Sequence, residues 1–178
     1  MKTSAFIAIS LDGFIARENG DIDWLPAEQA APDDGDFGYN AFSEAVDALV
    51  MGRGTYDKMV TFGFWPFGDR PVVVLSTREL DRPAHVPASV ERMACPPAQC
   101  IARLEARGVR QLYVDGGYTI QSFLRAGLLN RLIITRVPVL IGNGIRLFGP
   151  LQQDVKLRHV STRTFSNGLV QSEYAILR

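Results

Sequence analysis

Three short stretches of this chain carry residue types that can hold a phosphate. Gly116-Gly117 follows the apolar run Gln111 to Val114 and precedes an amphipathic segment starting near Thr119. Gly52-Arg53-Gly54-Thr55 follows Ala48 to Met51, and Ser76-Thr77-Arg78 follows Pro71 to Leu75. A strand that stops at glycine and restarts as a helix directs backbone N–H groups and the positive end of a dipole at one point. Glycine also removes the Cβ that would hold a ligand away. Arg53 and Arg78 add guanidinium groups suited to phosphate oxygens, and Thr55, Ser76 and Thr77 add hydroxyls. Each junction has a plainer reading: a glycine-containing crossover, or an arginine in a surface ion pair. The recurrence of the pattern at three strand ends favours ligand binding.

The elements that must position these junctions follow from the hydrophobic pattern. Short apolar runs at Thr3 to Ser10, Ala48 to Met51, Pro71 to Leu75, Gln111 to Val114 and Arg131 to Val137 read as buried strands, and Val90 to Ala94 as a shorter one. Asn40 to Asp47, Tyr56 to Thr61, Ala98 to Arg107 and the segment from about Thr119 read as helices, with Gly108 ending the third. Lys156 to Phe165 and Leu169 to Leu177 form an antiparallel hairpin around Ser166-Asn167-Gly168. The expected fold is an α/β domain of three layers, spanning 1–178 as one unit. Its mixed, mainly parallel sheet has about eight strands, flanking helices and a C-terminal antiparallel hairpin. In such sheets ligands sit outside the carboxyl ends of the strands, where Gly52, Ser76 and Gly116 all fall.

Bulk properties exclude several functions. The 178 residues are 47% hydrophobic and 21% charged, ordinary for a soluble globular chain. Nineteen basic and nineteen acidic side chains cancel, leaving no excess for a nucleic-acid backbone. No segment approaches a membrane span, and the N-terminus lacks a signal-peptide pattern, so a cytoplasmic location is expected. Cys95 and Cys100 in CPPAQC match no metal-ligand spacing and read as free thiols. The aromatic FGFWPFG segment, Phe62 to Gly68, either lines a flat ring, pads the core or meets another subunit. The loop after Asp12-Gly13 carries Phe14, Ile15 and Trp24, which either cover a ligand or cap the core.

The segments AISLDGFIA, LVMGRGTYD, VVVLSTR, VDGGYTIQSFLRAGLLNRL and PVLIGNGIRLF, in this order, resemble the reductase domain of the riboflavin-biosynthesis deaminase–reductase, a branch of the dihydrofolate reductase fold. The likeness runs from Phe6 to about Phe148, and the zinc-deaminase signature is missing. The resemblance implies a dinucleotide lying across the strand ends. Gly52, Arg53, Gly54 and Thr55 would then meet its phosphates, and Leu75, Ser76, Thr77 and Arg78 its adenine ribose. Arg78 would be the natural partner for a 2′-phosphate, which favours NADPH over NADH. Gly116, Gly117, Tyr118, Thr119 and Ile120 would receive the pyrophosphate, with a cis bond between the two glycines. Ala8, Ile15 and Ala16 would border the nicotinamide, and Gly20 would belong to a covering loop.

For the substrate, the resemblance makes Glu28 of Trp24-Leu25-Pro26-Ala27-Glu28 the candidate acid, with Asp23 as competitor; Trp24 and Met59 would flank a ring, and Thr135 would bond to the substrate or the acid. The implied activity is NADPH-dependent reduction of a small heterocycle, nearest to 5-amino-6-(5-phosphoribosylamino)uracil reduction. The alternatives are a dihydrofolate reductase-like pterin reductase and a non-catalytic NADPH-binding protein. A homodimer is expected from related domains. Asn130-Arg131 stands where the family carries an acidic pair, and no basic cluster for a ribose phosphate is evident beyond Arg17 and Arg53.

Overall fold

The computed structural model describes residues 1–25 and 35–177. Its strands are β1 (Lys2–Ser10), β2 (Phe14–Ala16), β3 (Ala48–Gly52), β4 (Val72–Leu75), β5 (Val90–Met93), β6 (Gln111–Asp115), β7 (Arg131–Val137), β8 (Ile145–Arg146), β9 (Leu157–Thr164) and β10 (Val170–Ile176). The helices are α1 (Tyr39–Glu44), α2 (Arg53–Val60), α3 (Pro97–Ala106) and α4 (Gly117–Arg125). Eight strands form one sheet in the order β5-β4-β3-β6-β1-β7-β10-β9. The first six in that order pair in parallel, and β7, β10 and β9 pair antiparallel. The expected mixed, mainly parallel sheet with its C-terminal hairpin is therefore present.

Strand alternation explains the three layers. Ala48 and Val50 of β3, Val73 of β4, and Leu112 and Val114 of β6 pack in one core with Ile120 and Phe123 of α4 and Cys100 and Leu104 of α3. Leu49 and Met51, Val72 and Val74, and Tyr113 face the other way, onto Phe42 of α1 and Tyr56 of α2. A strand buried on both faces must be apolar at every position, which is why these runs lack the polar alternation of a half-exposed sheet. β9 is the opposite case. Every one of its residues is exposed, and it forms an edge of the sheet.

The second sheet, β2 with β8, departs from the sequence reading, which treats both segments as loops. Two or three residues carry no usable periodicity. Their pairing is held instead by tertiary contacts: the Gln121 amide donates to the Arg146 carbonyl at 2.9 Å, and the Arg146 guanidinium lies 4.5 Å from the Phe14 ring centre. Among the described residues no helix is long and apolar enough to cross a membrane.

Candidate active site

The parallel order places the C-terminal ends of β3, β6 and β1 side by side, with β4 beyond β3. Both glycine junctions lie at this edge, and the chain there turns directly from strand to helix. Gly52 is the residue before α2 and Gly116 the residue before α4, and neither helix has a side-chain cap. The first-turn N–H groups of Arg53, Gly54 and Thr55, and of Gly117, Tyr118 and Thr119, are thus left to face whatever occupies the edge.

The two junctions interlock. A Cβ on Gly116 would lie 2.2 Å from Thr55 Oγ1, and one on Gly52 would lie 2.9 Å from Thr119 Oγ1. Each glycine thus admits the threonine of the other helix. A Cβ on Gly117 would fall 2.8 Å from Ile15 Cδ1. The bond between Gly116 and Gly117 is trans, against the expected cis bond. The turn comes instead from Gly116 itself, at φ 85° and ψ 139°, a region that side chains with a Cβ rarely enter.

The helix ends open on a cavity of about 450 Å³, predominantly apolar. Of the residues singled out in the sequence, Ala8, Ile15, Ala16, Gly20, Gly52, Arg53, Gly54, Thr55, Leu75, Gly116, Gly117, Tyr118, Thr119 and Met59 line it. Ser76, Thr77 and Arg78 lie outside its wall, at the exposed end of β4, where the Ser76 hydroxyl donates to the Arg78 carbonyl at 2.8 Å and accepts from the Arg78 N–H at 3.0 Å. Ile120 points into the core, fully buried. Trp24 packs with Val137 and Leu169 rather than on the cavity. Asp23 is exposed and paired with Arg17 at 2.6 Å. Thr135 is buried away from the cavity, its hydroxyl accepting from the Gln171 amide at 3.0 Å. Glu28 lies outside the described residues.

Several wall residues escape the sequence reading, and Asp115 matters most. It ends β6 and is only 8% exposed, yet it lines the cavity. Burial pushes its carboxyl from the usual 3.8 up to about 6, while the Gly116 N–H, donating to Oδ1 at 2.8 Å, and the nearby Tyr113 hydroxyl pull it back only in part. A carboxyl with this value in a cleft is a candidate proton donor. Its local signal was a charged residue closing an apolar strand just before two glycines. Lys58, Ile7, Ile22, Leu25, Ser122 and Ile145 complete the wall.

Cations near the loop after β2 and on α2 are engaged in ion pairs. Lys58 Nζ meets Asp21 at 2.7 Å, which joins the loop to α2, and Arg53 meets Asp57 at 2.6 Å. The hydrogen bond from Lys58 is the main reason that the Asp21 carboxyl sits below its usual range; Arg17 does the same for Asp23.

The shape of the edge suits a dinucleotide. Two uncapped helix ends converge, the glycines keep the backbone bare, and apolar residues wall the space beside them. A family model, the RibD C-terminal domain, matches residues 2–171. The Bacillus subtilis (strain 168) protein YwjB is 34% identical over 97% of each chain. A crystal structure of a protein ascribed to riboflavin biosynthesis from Shewanella sp. PV-4 superposes with a TM-score of 0.90 at 38% identity, covering 100% of both chains. Dihydrofolate reductase from Enterococcus faecalis, solved with NADP(H), superposes with a TM-score of 0.67 at 17% identity over 99% of this chain and 97% of that one, a likeness of fold.

Proposed function

The chain belongs to the family of the RibD C-terminal domain, and from that membership we propose that it is an NADPH-dependent reductase of a small heterocyclic substrate, one reductase domain spanning 1–178. The observation that carries the reading is the pair of interlocked, uncapped helix ends at Gly52 and Gly116, opening on one apolar cavity that Asp115 also lines. The N–H groups of α4 would hold the pyrophosphate, and those of α2, with Arg53, would hold a neighbouring phosphate. Arg78, three residues beyond Leu75, would partner an adenosine 2′-phosphate. Ala8, Ile15 and Ala16, which line the cavity, would border the nicotinamide.

When bound, the cofactor supplies a hydride to the carbon of a C=N or C=O group. The heteroatom of that group then needs a proton. Asp115 holds one at neutral and mildly acidic pH far more than an exposed aspartate does, because its burial disfavours the carboxylate. Its proton passes to the heteroatom, and solvent restores it after product leaves. Met59, Ile22 and Leu25 exclude water from the substrate's flanks. The nearest specific activity is reduction of 5-amino-6-(5-phosphoribosylamino)uracil or a close analogue, in a homodimer.

The test is titration of the protein with NADPH, followed by NADPH oxidation in the presence of ribosylaminopyrimidine and pterin substrates. Tryptophan quenching on cofactor addition and substrate-dependent oxidation are expected. No fluorescence change and no thermal shift at millimolar cofactor would sink the reading.

A further inference from the structure

Resting on that reading, we infer that Tyr113 is the positioning residue for the proton of Asp115. Its hydroxyl accepts the hydrogen bond of the acid. Once the proton has left for the substrate, the hydroxyl turns from the Phe6 carbonyl and donates to the carboxylate.

The strands bring these groups together. Tyr113 and Asp115 are two apart on β6, so both side chains leave the same face of the sheet. They are 6% and 8% exposed. The pairing of β1 with β6 ends at Ser4 and Tyr113. Two residues further along β1, the Phe6 carbonyl accepts from the Tyr113 hydroxyl at 2.8 Å. That hydroxyl also lies beside the Asp115 carboxyl. The ring is held in place by Phe42 of α1, packed edge-on with 5.0 Å between ring centres. Rotation about the C–O bond is the motion left to the hydroxyl.

One hydroxyl proton serves one acceptor at a time. Burial holds the Tyr113 phenol well above its ordinary 10, so the oxygen keeps its proton while Asp115 titrates. With that proton given to Phe6, Tyr113 meets Asp115 as an acceptor, and the carboxylic acid is the donor. The Gly116 N–H occupies Oδ1 of Asp115, which leaves Oδ2 to carry the acid's proton. Hydride arrival at the substrate carbon breaks the C=N or C=O π bond. The released electron pair takes the Asp115 proton, and a buried carboxylate remains. A turn of the Tyr113 O–H then supplies a charge-assisted hydrogen bond, stronger than the neutral bond to Phe6 that it replaces.

Other charged and titratable groups surround this pair among the described residues. Tyr39 of α1 faces both, bonded to Ser43 with Arg70 beyond it. Arg53 and Lys58 of α2, paired with Asp57 and Asp21, and Tyr118 of α4 line the same cavity. The neighbouring strands contribute Ala8 and Met51, which do not titrate.

The experiment follows the Asp115 carboxyl by carbon-13 NMR between pH 4 and pH 8 in cofactor-free protein, with Asp115→Asn to assign the signal. Tyr113→Phe removes the hydroxyl from both states, and the carboxylate loses the stronger bond. The midpoint should rise by about one pH unit, a roughly tenfold weaker acid. Site-specific 3-fluorotyrosine in place of Tyr113 keeps the ring and the bond to Phe6, and so keeps the test open if Tyr113→Phe does not fold. As a stronger donor and weaker acceptor it should move the midpoint down. In turnover with NADPH and 5-amino-6-(5-phosphoribosylamino)uracil, the alkaline limb of kcat should follow the carboxyl in each protein, with KM for NADPH unchanged. The titration needs neither cofactor nor turnover, so wild type that fails to oxidise NADPH counts against the reductase reading alone. A midpoint that Tyr113→Phe leaves in place or lowers would overturn the inference, as would a fluorinated protein whose midpoint stays or rises. A kcat limb that stays fixed while the carboxyl midpoint moves would overturn it too.

Discussion

The space that a Cβ on Gly116 would occupy is filled by Thr55 Oγ1, 2.2 Å from that position. One residue before α4 therefore sets how closely the first turn of α2 can approach it. Gly116→Ala should suffer twice, from the contact and from φ 85°. The expected loss is about 1–3 kcal/mol of stability together with weakened NADPH binding. Thr55→Ala in the same chain relieves the contact and leaves the backbone strain. A double-mutant cycle on thermal unfolding should then show Gly116→Ala costing less in the Thr55→Ala background. Full additivity would mean the two sites do not touch in solution.

Asp115 predicts a pH dependence of stability with a definite sign. Its folded value, about 6, lies above the usual 3.8, so the folded chain binds the proton more tightly than the unfolded one. This group's contribution is fully present below 3.8 and is lost as pH rises through 6. The full difference is on the order of 3 kcal/mol. Asp115→Asn keeps an oxygen for the Gly116 N–H and removes the ionisation. Denaturant unfolding from pH 4 to pH 7 should show wild type losing stability relative to the variant as pH rises.

The same carboxyl shapes turnover. A general acid acts in its protonated form, so kcat should fall as pH rises above about 6. Asp115→Asn should lower kcat by about 10²-fold and erase that limb, with NADPH binding retained. An unchanged pH profile in the variant would assign the proton to another group.

Arg78 lies outside the cavity wall at the exposed end of β4. Its proposed role is confined to the 2′-phosphate. Arg78→Ala should raise KM for NADPH about tenfold and leave KM for NADH unchanged. Equal effects on both cofactors would remove that role.

Thr135 separates a structural from a catalytic part. Its hydroxyl accepts from the Gln171 amide, which also donates to the Phe37 carbonyl at 3.1 Å. Thr135→Val should cost about 1–3 kcal/mol by leaving a buried polar group underbonded, with kcat and KM unchanged in the folded enzyme. A raised KM for the heterocycle would place Thr135 at the substrate.

The order of buried strands and amphipathic helices was legible in the residues alone. Strands covered on both faces, such as Ala48 to Met51, have no polar position to blur them, and glycine marks their ends because only glycine tolerates the turn and close approach at Gly116. The apposition of the β3 and β6 ends was legible too, because parallel strands joined by crossovers bring their carboxyl ends to one edge. What the chain could not disclose locally was burial and partnership. Asp115 looks like any turn aspartate until β3 and β1 enclose it. Thr135 and Trp24 look like site residues until the sheet turns them toward Gln171 and Leu169. Lys58 and Asp21 are 37 positions apart, and only the packing of the loop after β2 against α2 brings them to 2.7 Å. Local pattern reports which residues must be hidden or must turn. Charge state and pairing depend on neighbours distant in sequence, and those were decided by the tertiary structure.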